Sequence, residues 1–591
     1  MQSDYPRPQL VRTEFTSLDG PWAFAPDMTN EGIGRGWFDL DDPFTQTIVV
    51  PNPPESSASG IGEDVDSPIW YRREFDYSPK DGFRLFLHFE GVDYYASVWI
   101  NGIHIGDHEG GQSRFSFDIT DAVRSGKNVI VVRAVDPITD LEQPRGKQDW
   151  LPAPHVIWYK RTSGIWRSVW LEPVPLTHFE RLTFRSGSDL RSVHVEARIG
   201  GALQAGTDFE VEFRLRGVLL GRARLACISD LVSATFQLDH EGTDAQPEDL
   251  WWTPDSPTLI DVKAKLCVGE VTVDVVASYF GLRTVSTDES NILLNGRPWF
   301  LRLVLEQGYW PQSHLASPSI EALETEARLI KSLGFNGVRM HQTSADPRFL
   351  AYCDQIGLVV FADVAATYRF SDVALKRVTD ELAALIERDF NHPSIVGWVP
   401  FNESWGLPDL ATRCEQRHAV QAMYSLAKAL DPTRLAIGND GWEYVSGDIV
   451  GIHDYAQNPG VLRARYGSAE LVRQTIRSIR PGDRRIVLAG YEKQAAQVPV
   501  MLTEFGGISV HDDHDAWAAY GEVVATADLP ERLGALISAL NEDAGLAGYC
   551  YTQLTDTAQE KNGLLTETRQ PKGPIEQLRA AVLSPRKANR V

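Results

Sequence analysis

At residue 291 the sequence changes its period, and that change constrains the fold more than any other feature. Before it, apolar residues alternate at the two-residue spacing of strands. After it, strand-like runs take turns with stretches of helical spacing. The strand candidates are "NILLNGRPWFLRLVLEQGYWP" (291–311), "FNGVRMHQ" (335–342), "LVVFADV" (358–364), "IVGWVPFNE" (395–403), "RLAIGND" (434–440), "IVGIHDY" (449–455), "VMLTEFGG" (500–507) and "LAGYCYTQLTD" (546–556). Helical spacing fills 319–334, 346–357, 371–390, 411–430 and the region near 530–542. Eight strands separated by helices over about 300 residues is the size and rhythm of a (β/α)₈ barrel.

The preceding half reads as two β units. Residues 1–175 hold short alternating runs such as "IWYRREF" (69–75), "FRLFLHFEG" (83–91) and "NVIVVRAV" (128–135), with an Asn-Gly hairpin signal inside "YASVWINGIHIG" (95–106). This is the pattern of a jelly-roll sandwich. Residues 176–285, with "SVHVEARIG", "DFEVEFRLRG" and "VTVDVVASYFGLRTV", fit an immunoglobulin-like sandwich. The expected division is therefore 1–175, 176–285 and a barrel over 286–591, consistent with a chain too long for one domain.

A formal charge of −23 makes phosphate backbones and anionic membranes poor partners. No run approaches eighteen apolar residues, and the polar start "MQSDYPRPQLVRTEF" has no signal-like core. The five cysteines are far apart without metal-type spacing, so buried free thiols in a cytoplasmic protein are expected, with Cys227–Cys267 the one pairing to check. A homo-oligomer stays open.

In such barrels the chemistry sits where strands end at the C-terminal face. The polar residues there are Glu306 and Gln307; Arg339, His341 and Gln342; Asp363; Asn402 and Glu403; Asn439 and Asp440; His453, Asp454 and Tyr455; Glu504; and Gln553 and Asp556. Two apolar strands run straight into an acid, at Glu403 and Glu504. A lone buried Glu is costly because desolvation disfavours its charged form, so two at equivalent strand ends suggest a site. Two acids facing across a mouth suit glycoside hydrolysis, one as proton donor and the other as nucleophile or base. Their separation would decide the stereochemistry, with roughly 5–5.5 Å for retention and about 6.5–9.5 Å for inversion. The environment should drive their pKa values apart, leaving one protonated and one ionised. A metal-dependent barrel built on His341, Asp363 and His453 lacks the HxH or HExxH spacing that such sites use. A carbohydrate-binding protein that kept the fold without turnover is the other rival.

"GWVPFNESWG" (397–406) and "MLTEFGG" (501–507) resemble the acid/base and nucleophile motifs of glycoside hydrolase family 2, which includes β-galactosidases, β-glucuronidases and β-mannosidases. "ASVWINGIHIGDHEGGQSRFSFDIT" (96–120), "SGIWRSVWLE" (163–172) and "LLNGRPWFLR" (293–302) resemble further family segments in the same order. The resemblance implies a jelly-roll, an immunoglobulin-like sandwich and a catalytic (β/α)₈ barrel. It implies a retaining exo-β-glycosidase needing no cofactor and no metal, with Glu403 as acid/base, Glu504 as nucleophile, Asn402 on the sugar 2-hydroxyl, His341 lining the pocket and Tyr455 beside the nucleophile. Asp454 and Tyr551 join the substrate-binding candidates. Three departures bear on the sugar. Trp158 stands where many members carry a hydroxyl-binding Asp. Glu306 and Gln307 replace a "GVN+H" string. In "QEKNGLLTETRQPKG" (559–573), Lys561 precedes Asn562 where glucuronidases carry Asn-x-Lys. A neutral sugar such as a β-galactoside is the expected substrate, with a glucuronide or arabinoside as the alternative.

Overall fold

The computed structural model describes residues 4–238, 246–478, 481–510, 520–521, 523–541 and 545–586. The first unit packs a six-stranded antiparallel sheet, carrying Ile69–Tyr77, Tyr95–Ile100 and Gly126–Val135, against a four-stranded one carrying Phe83–Phe89 and Val169–Pro175. Trp22, Phe24, Tyr71, Leu87, Val98 and Val132 fill the space between. In the second unit the alternation of "TDFEVEFRL" is literal: every second residue of Thr207–Leu215 is buried. That strand belongs to a four-stranded sheet facing a three-stranded one, around Phe209, Val211, Phe213 and Val262.

The N-terminal segment does not stay within the first unit. Val11 pairs with Ala277 of the second sandwich. Arg12 bridges Glu172 at 2.8 Å and Asp274 at 2.9 Å, so one buried guanidinium joins the two sandwiches. The five cysteines are free thiols and Cys227 and Cys267 form no bridge; four are buried as expected, but Cys414, at the start of the helix Cys414–Leu430, is exposed.

The barrel has eight parallel strands: β1 (Leu301–Glu306), β2 (Gly337–Met340), β3 (Val359–Asp363), β4 (Ile395–Val399), β5 (Leu435–Ala436), β6 (Val450–Asp454), β7 (Val500–Gly506) and β8 (Gly548–Thr552). They pair in the order β5-β4-β3-β2-β1-β8-β7-β6. The two ends meet where the His453 N–H donates to the Gly441 carbonyl at 3.1 Å. Strand β5 is shorter than "RLAIGND" suggests, because the chain leaves the sheet at Ile437 and Gly438. It pairs again as Asn439–Asp440 with Phe401–Asn402, above β4. Helices cap in the ordinary way: Ser319 accepts from the Ala322 N–H at the start of Ile320–Ser332, and Ser371 from Ala374 at the start of Asp372–Asp389. Among the described residues no helix is long and apolar enough to cross a membrane.

A long excursion of the first sandwich, residues 136–163, lies over the barrel mouth. The N–H groups of Arg145 and Gly146 both donate to the Ala366 carbonyl at 3.1 Å. Gly146 has φ 58°, and a Cβ there would stand 2.2 Å from the Gln342 carbonyl oxygen, so only glycine allows this approach. Gln559 Nε2 donates to the carbonyls of Val156 and Trp158 at 2.9 and 2.8 Å, closing the joint from the barrel side.

Candidate active site

The strand ends converge on Arg339, on β2, whose side chain is among the largest that are fully buried. Its Nε lies 3.0 Å from Asp363 Oδ2, its Nη2 donates to Asn402 Oδ1 at 2.8 Å, and its Nη1 meets Asp440 Oδ2 at 2.5 Å and Glu504 Oε1 at 3.2 Å. A planar guanidinium can hold these partners at fixed angles, which an ammonium cannot. Asn402 thereby keeps its oxygen occupied, while its Nδ2 is buried without a hydrogen-bond partner among the described residues.

His453 sits between acids. Its Nδ1 is 2.7 Å from Glu403 Oε1, and its Nε2 is 3.1 Å from Asp440 Oδ2 and 3.4 Å from Glu504 Oε1. Burial alone would keep the ring neutral, but Glu504 and Asp440 outweigh it and push its pKa up to about 10. The imidazolium donates from both nitrogens. Burial acts to raise Glu403, yet the hydrogen bond from His453 holds its carboxyl below the usual range. Glu504 moves upward: burial raises it, and the charge on Glu403 adds to this against His453 and Arg339. The free site therefore separates the two acids, but the carboxyl held low is Glu403, the group a resting proton donor would keep protonated.

Glu403, His453 and Glu504 offer ligand-type atoms that all lie within 4.8 Å of one another. Those donors suit a divalent ion by type, but Arg339 Nη1, 3.4 Å from His453 Nε2 and 3.2 Å from Glu504, already supplies positive charge at that spot. Glu403 and Ser404 have φ of 53° and 57°, so the chain turns sharply as it leaves Asn402. Trp405 Nε1 then donates to Glu403 Oε2 at 3.3 Å.

The other sequence candidates divide into two groups. Tyr455 donates its hydroxyl to Glu504 Oε2 and stacks on Tyr520, with ring centroids 3.7 Å apart. His341 Nε2 is 3.5 Å from Glu504 Oε1, and burial with the nearby Arg339 charge keeps the ring neutral. Its Nδ1 is 3.0 Å from Gln307 Oε1, and Gln307 in turn donates to Gln553 at 2.7 Å. Trp158 packs edge-on to Trp405 at 5.4 Å and so reaches the site through it. Glu306, Asp454 and Tyr551 have partners elsewhere. Glu306 lies 3.6 Å from Arg569, which is itself paired with Glu326. Asp454 accepts from Arg465 and Tyr466, both at 2.7 Å. The Tyr551 hydroxyl accepts from the Ile508 N–H at 3.3 Å and its ring packs edge-on to Phe505.

Two buried charged residues near the acids were not among the strand-end candidates, although Glu560 falls within the 559–573 segment. Lys147 comes from the excursion of the first sandwich and Glu560 from the turn after β8. Neither ends a strand or belongs to a repeated spacing.

Two sandwiches leading into a barrel with an acid pair at its mouth is the layout of a multidomain barrel glycosidase. Three models of one family match consecutive parts of the chain: the sugar binding domain of glycosyl hydrolases family 2 over residues 15–175, the family 2 model over 177–283, and its TIM barrel domain over 285–455. The chain belongs to glycoside hydrolase family 2. It is 28% identical over 396 residues to a β-galactosidase of Thermoanaerobacter pseudethanolicus, covering 65% of this chain and 51% of that protein. It is 26% identical to the β-glucuronidase of Canis lupus familiaris, over 73% of this chain and 69% of that one. The chain thus spans about half the length of the first relative and about two thirds of the second. In fold it is similar to a β-glucuronidase from an uncultured Clostridium sp., with a TM-score of 0.75, 22% identity and coverage of 96% and 97% of the two chains.

Proposed function

We propose that the chain is a retaining exo-β-glycosidase that releases a terminal sugar by double displacement, with a neutral sugar such as a β-galactoside as its first substrate. The observation that carries this reading is the approach of Glu403 and Glu504, whose oxygens come within 4.8 Å. That approach is nearer the roughly 5–5.5 Å of a retaining pair than the about 6.5–9.5 Å of an inverting one.

Glu504 attacks the anomeric carbon while the bond to the leaving oxygen breaks. The leaving oxygen takes a proton from Glu403, which has received it from His453 Nδ1 across their 2.7 Å contact. In the second step Glu403 removes a proton from water and returns it to His453, and the water oxygen displaces Glu504. His453 thus begins and ends as the imidazolium, which reconciles the low resting pKa of Glu403 with an acid's role. Arg339 and Tyr455 act against burial and the Glu403 charge, and so favour the carboxylate of Glu504 that attacks. The free Nδ2 of Asn402 suits the sugar 2-hydroxyl, a contact that strengthens in the transition state. Both lysines near the end of the barrel are already engaged, Lys561 with Glu567 at 2.9 Å and Lys572 with Asp556 at 2.6 Å, which favours a neutral sugar over a glucuronide.

A panel of nitrophenyl glycosides tests this: β-galactoside, β-glucoside, β-mannoside, β-glucuronide and both arabinosides. Turnover of at least one, lost in Glu504→Gln, is expected. Sugar binding without turnover across the panel and across natural oligosaccharides would instead make the chain a binding protein.

A further inference from the structure

The joint between the first sandwich and the barrel buries two opposite charges beside the catalytic acids without pairing them to each other. Glu560 is 2% exposed. The Tyr159 hydroxyl donates to its Oε2. Its turn is closed by reciprocal hydrogen bonds between Thr557 and Glu560 at 3.0 and 2.9 Å, and is pinned to the excursion through Gln559. Lys147 is 7% exposed. Its carbonyl accepts from the Tyr159 N–H at 2.8 Å, and its Nζ lies 5.5 Å from the Tyr159 ring centroid. Among the described residues that Nζ has neither an ion pair nor a hydrogen bond.

Both residues lie against the site: Gly146, next to Lys147, packs on the backbone of Gln342, whose side chain is 3.3 Å from His341 Nε2. The charge of Lys147 bears on Glu403, Glu560 and His341, and Glu560 is raised by burial first and further by Glu504 and Glu403. An ammonium without an ion pair keeps its three donors for a ligand.

The chemistry of that ligand follows from the pair. A carboxylate would meet Lys147 but be repelled by Glu560. An ammonium would meet Glu560 but be repelled by Lys147. A hydroxyl satisfies both, since it donates to one and accepts from the other. We propose that Glu560 and Lys147, set side by side by Tyr159, form a specificity-determining pair that reads neighbouring hydroxyls of a neutral sugar and rejects a uronic acid. This rests on the glycosidase reading and adds to it the substrate class and two residues that set it.

The test uses substrate pairs that differ only at C6: nitrophenyl β-glucoside against β-glucuronide, and β-galactoside against β-galacturonide. The wild-type enzyme should favour the neutral member of its better pair by about 100-fold or more in kcat/KM. Glu560→Gln should lose about 100-fold on the neutral sugar and narrow the preference by about 10-fold. Tyr159→Phe, which frees Oε2 and keeps the ring, should narrow it in the same direction by about 3-fold. Thermal unfolding of each variant confirms that it is folded. A wild-type preference for the uronide overturns the inference and leaves the glycosidase reading standing. An unchanged preference in both folded variants also overturns it. Absence of turnover with every glycoside overturns the glycosidase reading, and the inference with it.

Discussion

His453 Nδ1 lies 2.7 Å from Glu403 Oε1 while Nε2 of the same ring meets Asp440 at 3.1 Å. The imidazolium is therefore anchored by one acid and offers its other proton to the second. Asp440 holds this position because the chain leaves the sheet after Ala436 and re-pairs beside Asn402.

Removing that proton source should slow the step that needs an acid. His453→Gln is expected to lower kcat by about 10²–10⁴-fold on substrates with poor leaving groups. The loss should shrink on a dinitrophenyl glycoside, whose leaving oxygen needs no proton. Steady-state kinetics on the two substrates checks this, and an equal loss on both would remove His453 from the proton path.

Asn402 offers its contact only through Nδ2, because Arg339 occupies its oxygen. Asn402→Ala should lower kcat/KM by about 10²–10³-fold. A 2-deoxy substrate should cost the wild-type enzyme a similar factor and cost the variant little more. Full additivity of the two losses would place the amide away from the 2-hydroxyl.

Arg339 is the common partner of Asp363, Asp440, Glu504 and Asn402. Arg339→Met leaves buried Asp363 without its cation and Asp440 and Glu504 with only His453, and should destabilise the barrel by about 3–5 kcal/mol, with loss of turnover. Denaturant unfolding measures the first, and an unchanged midpoint would show that the network is not what holds the mouth together.

Glu306 is raised from 4.5 to about 8 by burial and by Glu326. Between those values the folded chain keeps a proton that the unfolded chain has lost, so stability falls as pH rises from about 4.5 through about 8. Glu306→Gln removes the titration. The variant should match the wild type in Tm near pH 5 and exceed it near pH 8.5. A difference in Tm that does not change with pH would contradict this account.

The barrel was legible because a parallel strand buried on both faces writes a continuous apolar run that a polar residue ends. Arg339, Asp363, Asn402, Asp440, His453 and Glu504 all end strands in that sense, and the structure gathers them at one mouth. A strand end alone does not say what a side chain meets. Glu306 ends β1 and faces Arg569, which is 263 residues further along the chain, while Asp454 ends β6 and is held by the helix Pro459–Tyr466, which no periodic signal marked. Lys147 and Glu560 sit in irregular loops from different domains. Only the folded joint brings them together, and no spacing in the sequence encodes it.

The anomer first released reports most directly on double displacement at Glu504. Proton NMR during hydrolysis of the best nitrophenyl β-glycoside should show the β-anomer of the free sugar appearing first, with the α-anomer growing only by mutarotation. First appearance of the α-anomer would mean a single displacement by water and would contradict the account.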